Sequence, residues 1–228
     1  MDAPAAIHLV RSTSLSSLVE AAVTRMILAG ELEAGAQIKE AAIASSLGVG
    51  RSSVREALRT LAEAGLVRIE KNRGAFVRRI DDAEAREMYV VREGLEAMAG
   101  DILARRITDA EITELRGRVD QLDGLAEMAA FDRYFPLNLT FHDRVFEMAG
   151  NATLTAIYRR LTNELHTLRR RGLLQGGGLA VSNTEHRAIV EALAARDPRA
   201  ASAALATHVR NGGRRFQGLD VTTAVAAA

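Results

Sequence analysis

Val49-Gly-Arg-Ser-Ser-Val-Arg-Glu-Ala-Leu-Arg-Thr-Leu-Ala-Glu-Ala-Gly-Leu66 reads as a helix with two chemically distinct sides. At 3.6 residues per turn, Val54, Leu58 and Leu61 share an apolar face, while Arg51, Arg55 and Arg59 recur every fourth position with Ser52 beside them. Guanidinium forks and small hydroxyls on one ridge suit phosphate oxygens and the acceptor edge of guanine. An ordinary solvated amphipathic helix has the same periodicity, so the neighbouring segments must decide.

Upstream, Leu15, Leu18, Val19, Ala22, Val23, Met26 and Ile27 follow helical spacing up to Gly30. A connector through Gly35 leads to a second helix, Lys39 to Leu47, and Gly48 turns the chain into the Arg-bearing helix within about three residues. Two short helices joined by a tight glycine turn are the signature of a helix-turn-helix. Downstream, Leu66–Glu70 and Ala75–Ile80 read as strands around the turn Lys71-Asn72-Arg73-Gly74. A basic hairpin placed there is a wing, and its tip, Asn72, Arg73 and Gly74, suits the negative potential of a minor groove.

Composition limits the alternatives. The 228 residues contain no cysteine, which excludes disulfides, thiolate metal sites and cysteine nucleophiles. No long uncharged apolar run predicts a membrane span, and Met1–Val10 lacks the pattern of a secretory signal, so the expected location is the cytoplasm. The net charge of +1 conceals an asymmetry: residues 1–80 hold 11 Lys or Arg and 8 Asp or Glu, the remainder 19 and 21. With 28 Arg and only two Lys, Arg abundance reflects coding bias as readily as nucleic-acid binding.

Gly30-Glu-Leu-Glu-Ala-Gly-Ala-Gln-Ile38, Val49-Gly-Arg-Ser-Ser-Val-Arg-Glu-Ala-Leu58, Gly65-Leu-Val67 and Asn72-Arg-Gly-Ala75 together resemble the winged helix of GntR-type bacterial regulators. The resemblance spans about residues 14–80. It implies that Arg51 and Arg55 contact DNA, that Ser52 and Ser53 support them through phosphates, and that Gly74 lets the wing approach the groove. Arg59 continues the same ridge. The family usually has Ser or Thr where this chain has Gly50, which removes one hydroxyl from the helix start.

Beyond Asp81 the periodicity is helical throughout. Amphipathic segments run at about 82–106, 109–129, 132–149, 152–173, 182–196 and 199–215, with Asp82, Thr108, Ser182 and Asp197 as expected N-caps and Pro136 early in its helix. The expected fold is therefore mainly α: a winged helix-turn-helix at 14–80 and an all-α six-helix bundle at 81–216, with tails at 1–13 and 217–228. Four histidines fall in the bundle. His142 follows Asn138 by four residues on one helix face, and His186 and His208 lie on the last two helices. Three imidazoles and an oxygen converging from three helices would make a divalent transition-metal site, whereas each histidine alone reads as a core residue.

The order Asn138-x-x-x-His142, Glu185-His-Arg-Ala-Ile-Val-Glu-Ala-Leu193 and His208, with Phe141, Ala149-Gly-Asn151 and Arg92-Glu-Gly-Leu-Glu96, resembles the FCD domain of FadR-branch regulators, and six helices resemble its VanR-like group. That resemblance implies metal ligation by Asn138, His142, His186 and His208: Zn²⁺ first, Ni²⁺ or Mn²⁺ as alternatives. The first ligand is commonly Asp, and the neutral Asn138 implies weaker binding or greater reliance on an anionic effector. Arg92 is expected either to contact an effector carboxylate or to pair with Glu96, and His166 to line the same pocket. Arg169-Arg170-Arg171 reads as a solvated helix end, and His8 belongs to the tail.

The expected function is a DNA-binding repressor, a homodimer on a pseudo-palindromic operator, modulated by a small organic acid at a metal-containing pocket. The alternatives are a regulator that senses the metal itself and a metal-dependent enzyme with a DNA-binding module. No general-base motif, nucleophile elbow or phosphate loop supports the enzyme.

Overall fold

The computed structural model describes residues 14–175 and 178–218. The chain divides into two compact units, with the boundary between Arg79 and Ile80. The tails expected at 1–13 and 217–228 lie outside the described residues, apart from Gln217 and Gly218 in a turn after the last helix.

The first unit runs α1 (Leu15–Ala29), β1 (Gln37–Ile38), α2 (Glu40–Leu47), α3 (Arg51–Glu63), β2 (Val67–Glu70) and β3 (Gly74–Val77). Its apolar stripes close on one core: Val19, Val23 and Ile27 of α1, Ile43 of α2, Val54, Leu58 and Leu61 of α3, and Val67, Ala75 and Val77 of the hairpin. Gly48 ends α2 at φ +65, ψ 32, a left-handed conformation that β-carbons disfavour, and so permits the abrupt turn into α3. β2 and β3 pair antiparallel with Val67 opposite Val77 and Glu70 opposite Gly74. Gln37–Ile38, read from sequence as connector, adds a third strand on β3, opposite Phe76 and Ala75. Two residues are too few to show alternation.

The second unit is wholly helical: α4 (Asp82–Ala104), α5 (Asp109–Glu127), α6 (Phe131–Ala149), α7 (Ala152–Glu164), α8 (His166–Leu174), α9 (Gly178–Ala194) and α10 (Pro198–Phe216). The six expected segments are present, but the fourth is divided. Leu165 separates α7 from α8, and the Leu168 amide bonds back three residues to its carbonyl in a tightened turn. No Gly or Pro marks that break. α9 begins at Gly178, so Ser182 is a buried interior residue and not its cap. The cap of α4 is Asp81 in place of Asp82, with Oδ1 accepting from the Ala83 and Glu84 amides at 2.9 and 2.8 Å. Thr108 and Glu111 form the capping box, Asp197 caps α10, and Pro136 lies inside α6.

α10 lies along α4 at close range. A β-carbon on Gly100 would sit 2.8 Å from both the Ala201 carbonyl oxygen and Leu205 Cδ1, so these backbones approach as nearly as a glycine allows. The main core joins Leu103, Leu115, Leu122, Tyr134, Phe141, Phe146, Ile189 and Leu205. This packing fixes the faces of α6, α9 and α10 that carry the histidines.

Candidate nucleic-acid interface and metal centre

α3 buries Val54, Ala57, Leu58 and Leu61, which leaves Arg51, Ser52, Arg55 and Arg59 exposed and Ser53 half-buried. The cationic ridge is therefore on the surface. Among the described residues Arg51 and Arg59 make no ion pair, whereas Arg55 Nε donates to Glu40 Oε2 of α2 at 2.8 Å. Gly50 starts α3 without a side-chain cap. At the wing, Asn72 takes φ 62, a turn conformation that Asn tolerates, and Gln37 Nε2 donates to the Arg73 carbonyl at 2.8 Å. Arg73 pairs with Glu70 at 2.5 Å, with its guanidinium 5.6 Å from the Phe76 ring centre. The wing tip is exposed and held from both sides.

In the helical unit His142 (α6), His186 (α9) and His208 (α10) are all buried, and one ring nitrogen from each lies within 4.8 Å of the others. His142 Nε2 and His208 Nε2 are 3.1 Å apart. The opposite nitrogens face acceptors: His186 Nδ1 lies 3.2 Å from Asn183 Oδ1, His208 Nδ1 2.8 Å from Glu185 Oε2, and His142 Nδ1 3.4 Å from Glu96 Oε2. Hydrogen bonds to Asn183 and Glu185 place the proton on Nδ1 of His186 and His208, and the Glu96 carboxylate favours the same tautomer of His142 by its charge, without a hydrogen bond; the Nε2 atoms are left on the inner side. His186 Nε2 and Asn138 Oδ1 are buried with no hydrogen-bond partner. Ring-nitrogen lone pairs that converge in this way repel one another unless a cation lies between them, so the three imidazoles fit a divalent transition metal, with the orphaned Asn138 Oδ1 as a further buried oxygen donor on the adjoining cavity wall. Burial drives the His142 pKa down to about 3, although Glu96 opposes the shift, and it lowers that of His186 far below the usual range. Neutral imidazole is the ligating form.

Beside Asn138 and His208 lies a cavity of about 30 Å³, lined also by Tyr89, Arg92, Arg169 and Arg215. Arg92 donates through Nε to Glu96 Oε1 at 2.7 Å. Burial would raise the Glu96 carboxyl, but Arg92 and then His142 hold it well below the carboxylate range. Glu185 accepts from Arg215 at 3.0 Å and from Asn211 at 2.8 Å as well as facing His208; against burial, His208 and then Arg215 hold it at about 2.

The structure thus brings His142, His186 and His208 together, sets Asn138 at the cavity wall, and places Arg92 both on that wall and in the ion pair with Glu96. His166 is buried on α8, with Nδ1 3.0 Å from the Asn163 carbonyl oxygen, and is not among the residues lining the cavity. Arg169, read as part of a solvated helix end, is instead buried on the cavity wall; Arg170 and Arg171 lie further out. The sequence reading also missed Glu185, Asn183 and Arg215. Their only signal was polar residues three or four positions from apolar ones, which also describes a solvated face.

Comparison with known proteins places both units. Residues 15–77 match the model of bacterial regulatory proteins of the gntR family, and residues 87–211 match the FCD domain. The chain is 32% identical over 186 residues to an HTH-type transcriptional regulator in an unstable DNA locus of Streptomyces ambofaciens, covering 82% of this chain and 78% of that one. It is 31% identical over 206 residues to the "Probable D-xylose utilization operon transcriptional repressor" of Paenarthrobacter nicotinovorans, covering 86% of each. In fold it is similar to E. coli McbR/YncC, with a TM-score of 0.80 at 20% identity over 90% of this chain and 98% of that one. The two sequence relatives are named as transcriptional regulators and not as enzymes, and no helix among the described residues is long and apolar enough to cross a membrane. An exposed arginine ridge on a winged helix, joined to an FCD domain with converging histidines, identifies the chain as a member of the GntR family of bacterial transcriptional regulators.

Proposed function

We propose that the chain is a homodimeric repressor whose operator affinity is set by a small organic acid at the histidine-lined centre. The carrying observation is the three buried imidazoles, which bring one ring nitrogen each to within 4.8 Å of the others beside an arginine-lined cavity, with His186 and His208 held by Nδ1 hydrogen bonds to Asn183 and Glu185. His142, His186 and His208, with Asn138 Oδ1, would hold the divalent metal, Zn²⁺ first. When bound, the metal supplies a Lewis-acidic charge that attracts an anion. Asn183, Glu185 and Glu96 keep the rings in the ligating tautomer, Arg92 adds cationic charge at the wall, and the surrounding core excludes water.

At the DNA, Arg51, Arg55 and Arg59 read the major groove from α3, Ser52 and Ser53 contact phosphate, and Asn72, Arg73 and Gly74 carry the wing to the adjacent minor groove. Arg55 must exchange Glu40 for a nucleic-acid acceptor or be aimed by it. The exposed Val90, Val91 and Met98 of α4 and Ile157 of α7 support a second copy packing there. Repression is supported by relatives named as repressors. The effector acts only through unequal affinity for the two arrangements of the dimer.

The test is operator binding by fluorescence anisotropy, on DNA selected from genomic fragments, with metal-loaded and chelator-treated protein and a panel of organic acids. An acid that shifts operator affinity only in metal-loaded protein is the expected result. A response to metal alone, with every acid silent, would replace this reading with metal sensing.

A further inference from the structure

The charges around the cavity do not balance. Arg92 is matched by Glu96, and Arg215 by Glu185. Arg169, 7% exposed and on the wall, makes no hydrogen bond and no ion pair among the described residues. Glu96, which attracts it through space, is already held by Arg92 and faces His142. An unpaired buried guanidinium is costly, since its lost hydration is not replaced. Burial, and then the like charge of Arg92, lower the Arg169 pKa, which reports the same imbalance. The proposed metal would add two positive charges, and its four donors, three neutral imidazoles and the Asn138 amide, would add no negative one.

We infer that the cavity takes a compact dianion, with one carboxylate group at the centre formed by Asn138 and the three histidines and a second anionic group on the Arg169 guanidinium. A monoanion would leave Arg169 or the metal uncompensated. A dianion places a fork-shaped acceptor on each, and the planar guanidinium suits a carboxylate or phosphate edge. The small cavity excludes bulky acids and favours a short spacer between the two charges. Arg169 is thereby the residue that selects two charges over one, distinct from Arg92, which Glu96 already occupies. This inference rests on the proposed metal-and-acid reading, and the following measurements separate the two.

Metal-loaded protein, its metal content measured directly, is titrated calorimetrically with malonate, succinate and glutarate and with the matched monoacids propionate, butyrate and valerate. At least one diacid is expected to bind 10-fold or more tightly than its matched monoacid. Arg169→Gln should abolish that preference, and Arg169→Lys should retain part of it. Inorganic phosphate should raise the melting temperature of chelator-treated wild type but not of chelator-treated Arg169→Gln, a readout independent of the metal. Equal affinity for every diacid and its monoacid, or an undiminished preference in a folded Arg169→Gln protein, overturns the inference while leaving the metal reading intact. Absence of bound metal together with an Arg169-dependent preference for dianions would overturn the metal reading and leave the inference standing.

Discussion

His142 and His208 face each other through their Nε2 atoms at 3.1 Å, and each turns its Nδ1 toward a glutamate, Glu96 for His142 and Glu185 for His208. His208 cannot relieve this opposition without surrendering its hydrogen bond to Glu185, nor His142 without taking its Nδ1 proton away from the Glu96 carboxylate. Three buried ring nitrogens meeting in this way could hold a cation.

Removing either ring should remove the metal. His142→Ala and His208→Ala proteins are expected to purify without stoichiometric metal by elemental analysis, and to lose the melting-temperature drop that a chelator causes in wild type. Asn183→Ala takes away the acceptor for His186 Nδ1, together with the Nδ2 donations to the Val119 carbonyl and to Asp123, and should weaken metal affinity by about 10- to 100-fold. Full metal retention in both histidine variants would refute the assignment.

The metal-free protein should be acid-labile. His142 titrates near 3 when folded against an ordinary value of 6.5, with His186 shifted the same way, so below 6.5 the unfolded chain binds more protons. Stability is fully present above pH 6.5 and is lost as pH falls from 6.5 toward 3, by up to about 1.4 kcal/mol per pH unit for each histidine. Urea unfolding of chelator-treated protein at pH 7.5, 6.5 and 5.5 measures it. A flat profile would contradict the buried neutral assignment.

On α3, Arg51→Ala should cost about 1–3 kcal/mol of operator binding, while circular dichroism and the melting temperature stay unchanged, since Arg51 makes no ion pair among the described residues. Glu40→Gln removes only an exposed pair with Arg55 and should change stability by about 1 kcal/mol or less. If that same change alters operator affinity, Glu40 aims Arg55; an unchanged affinity means that Arg55 releases Glu40 on binding.

Gly100→Ala tests the close contact of α4 with α10. The added carbon would meet the Ala201 carbonyl and Leu205 at 2.8 Å, and backbone cannot rotate away as a side chain can. Overpacking of this kind costs about 1–3 kcal/mol, which outweighs the gain in helix propensity of about 1 kcal/mol. A lower urea midpoint is expected; an unchanged one would mean that α4 and α10 part easily.

What the sequence determined by itself was whatever depends on local spacing. Val54, Leu58 and Leu61 at helical intervals required that Arg51, Arg55 and Arg59 face outward, Gly48 required the turn, and Thr108 with Glu111 required a capping box. Asn138 and His142, one turn apart on one helix, needed no tertiary information to share a face. The tertiary structure alone decided which distant residues meet. His186 and His208 reach His142 only because α6, α9 and α10 pack around one core, and the break at Leu165 follows from packing and not from any helix-breaking residue. Arg169 shows the difference most sharply. In sequence it is the first of three arginines, and only its burial on α8 against the cavity separates it from its neighbours. Burial is a property of the whole assembly of helices, and no local pattern encodes it.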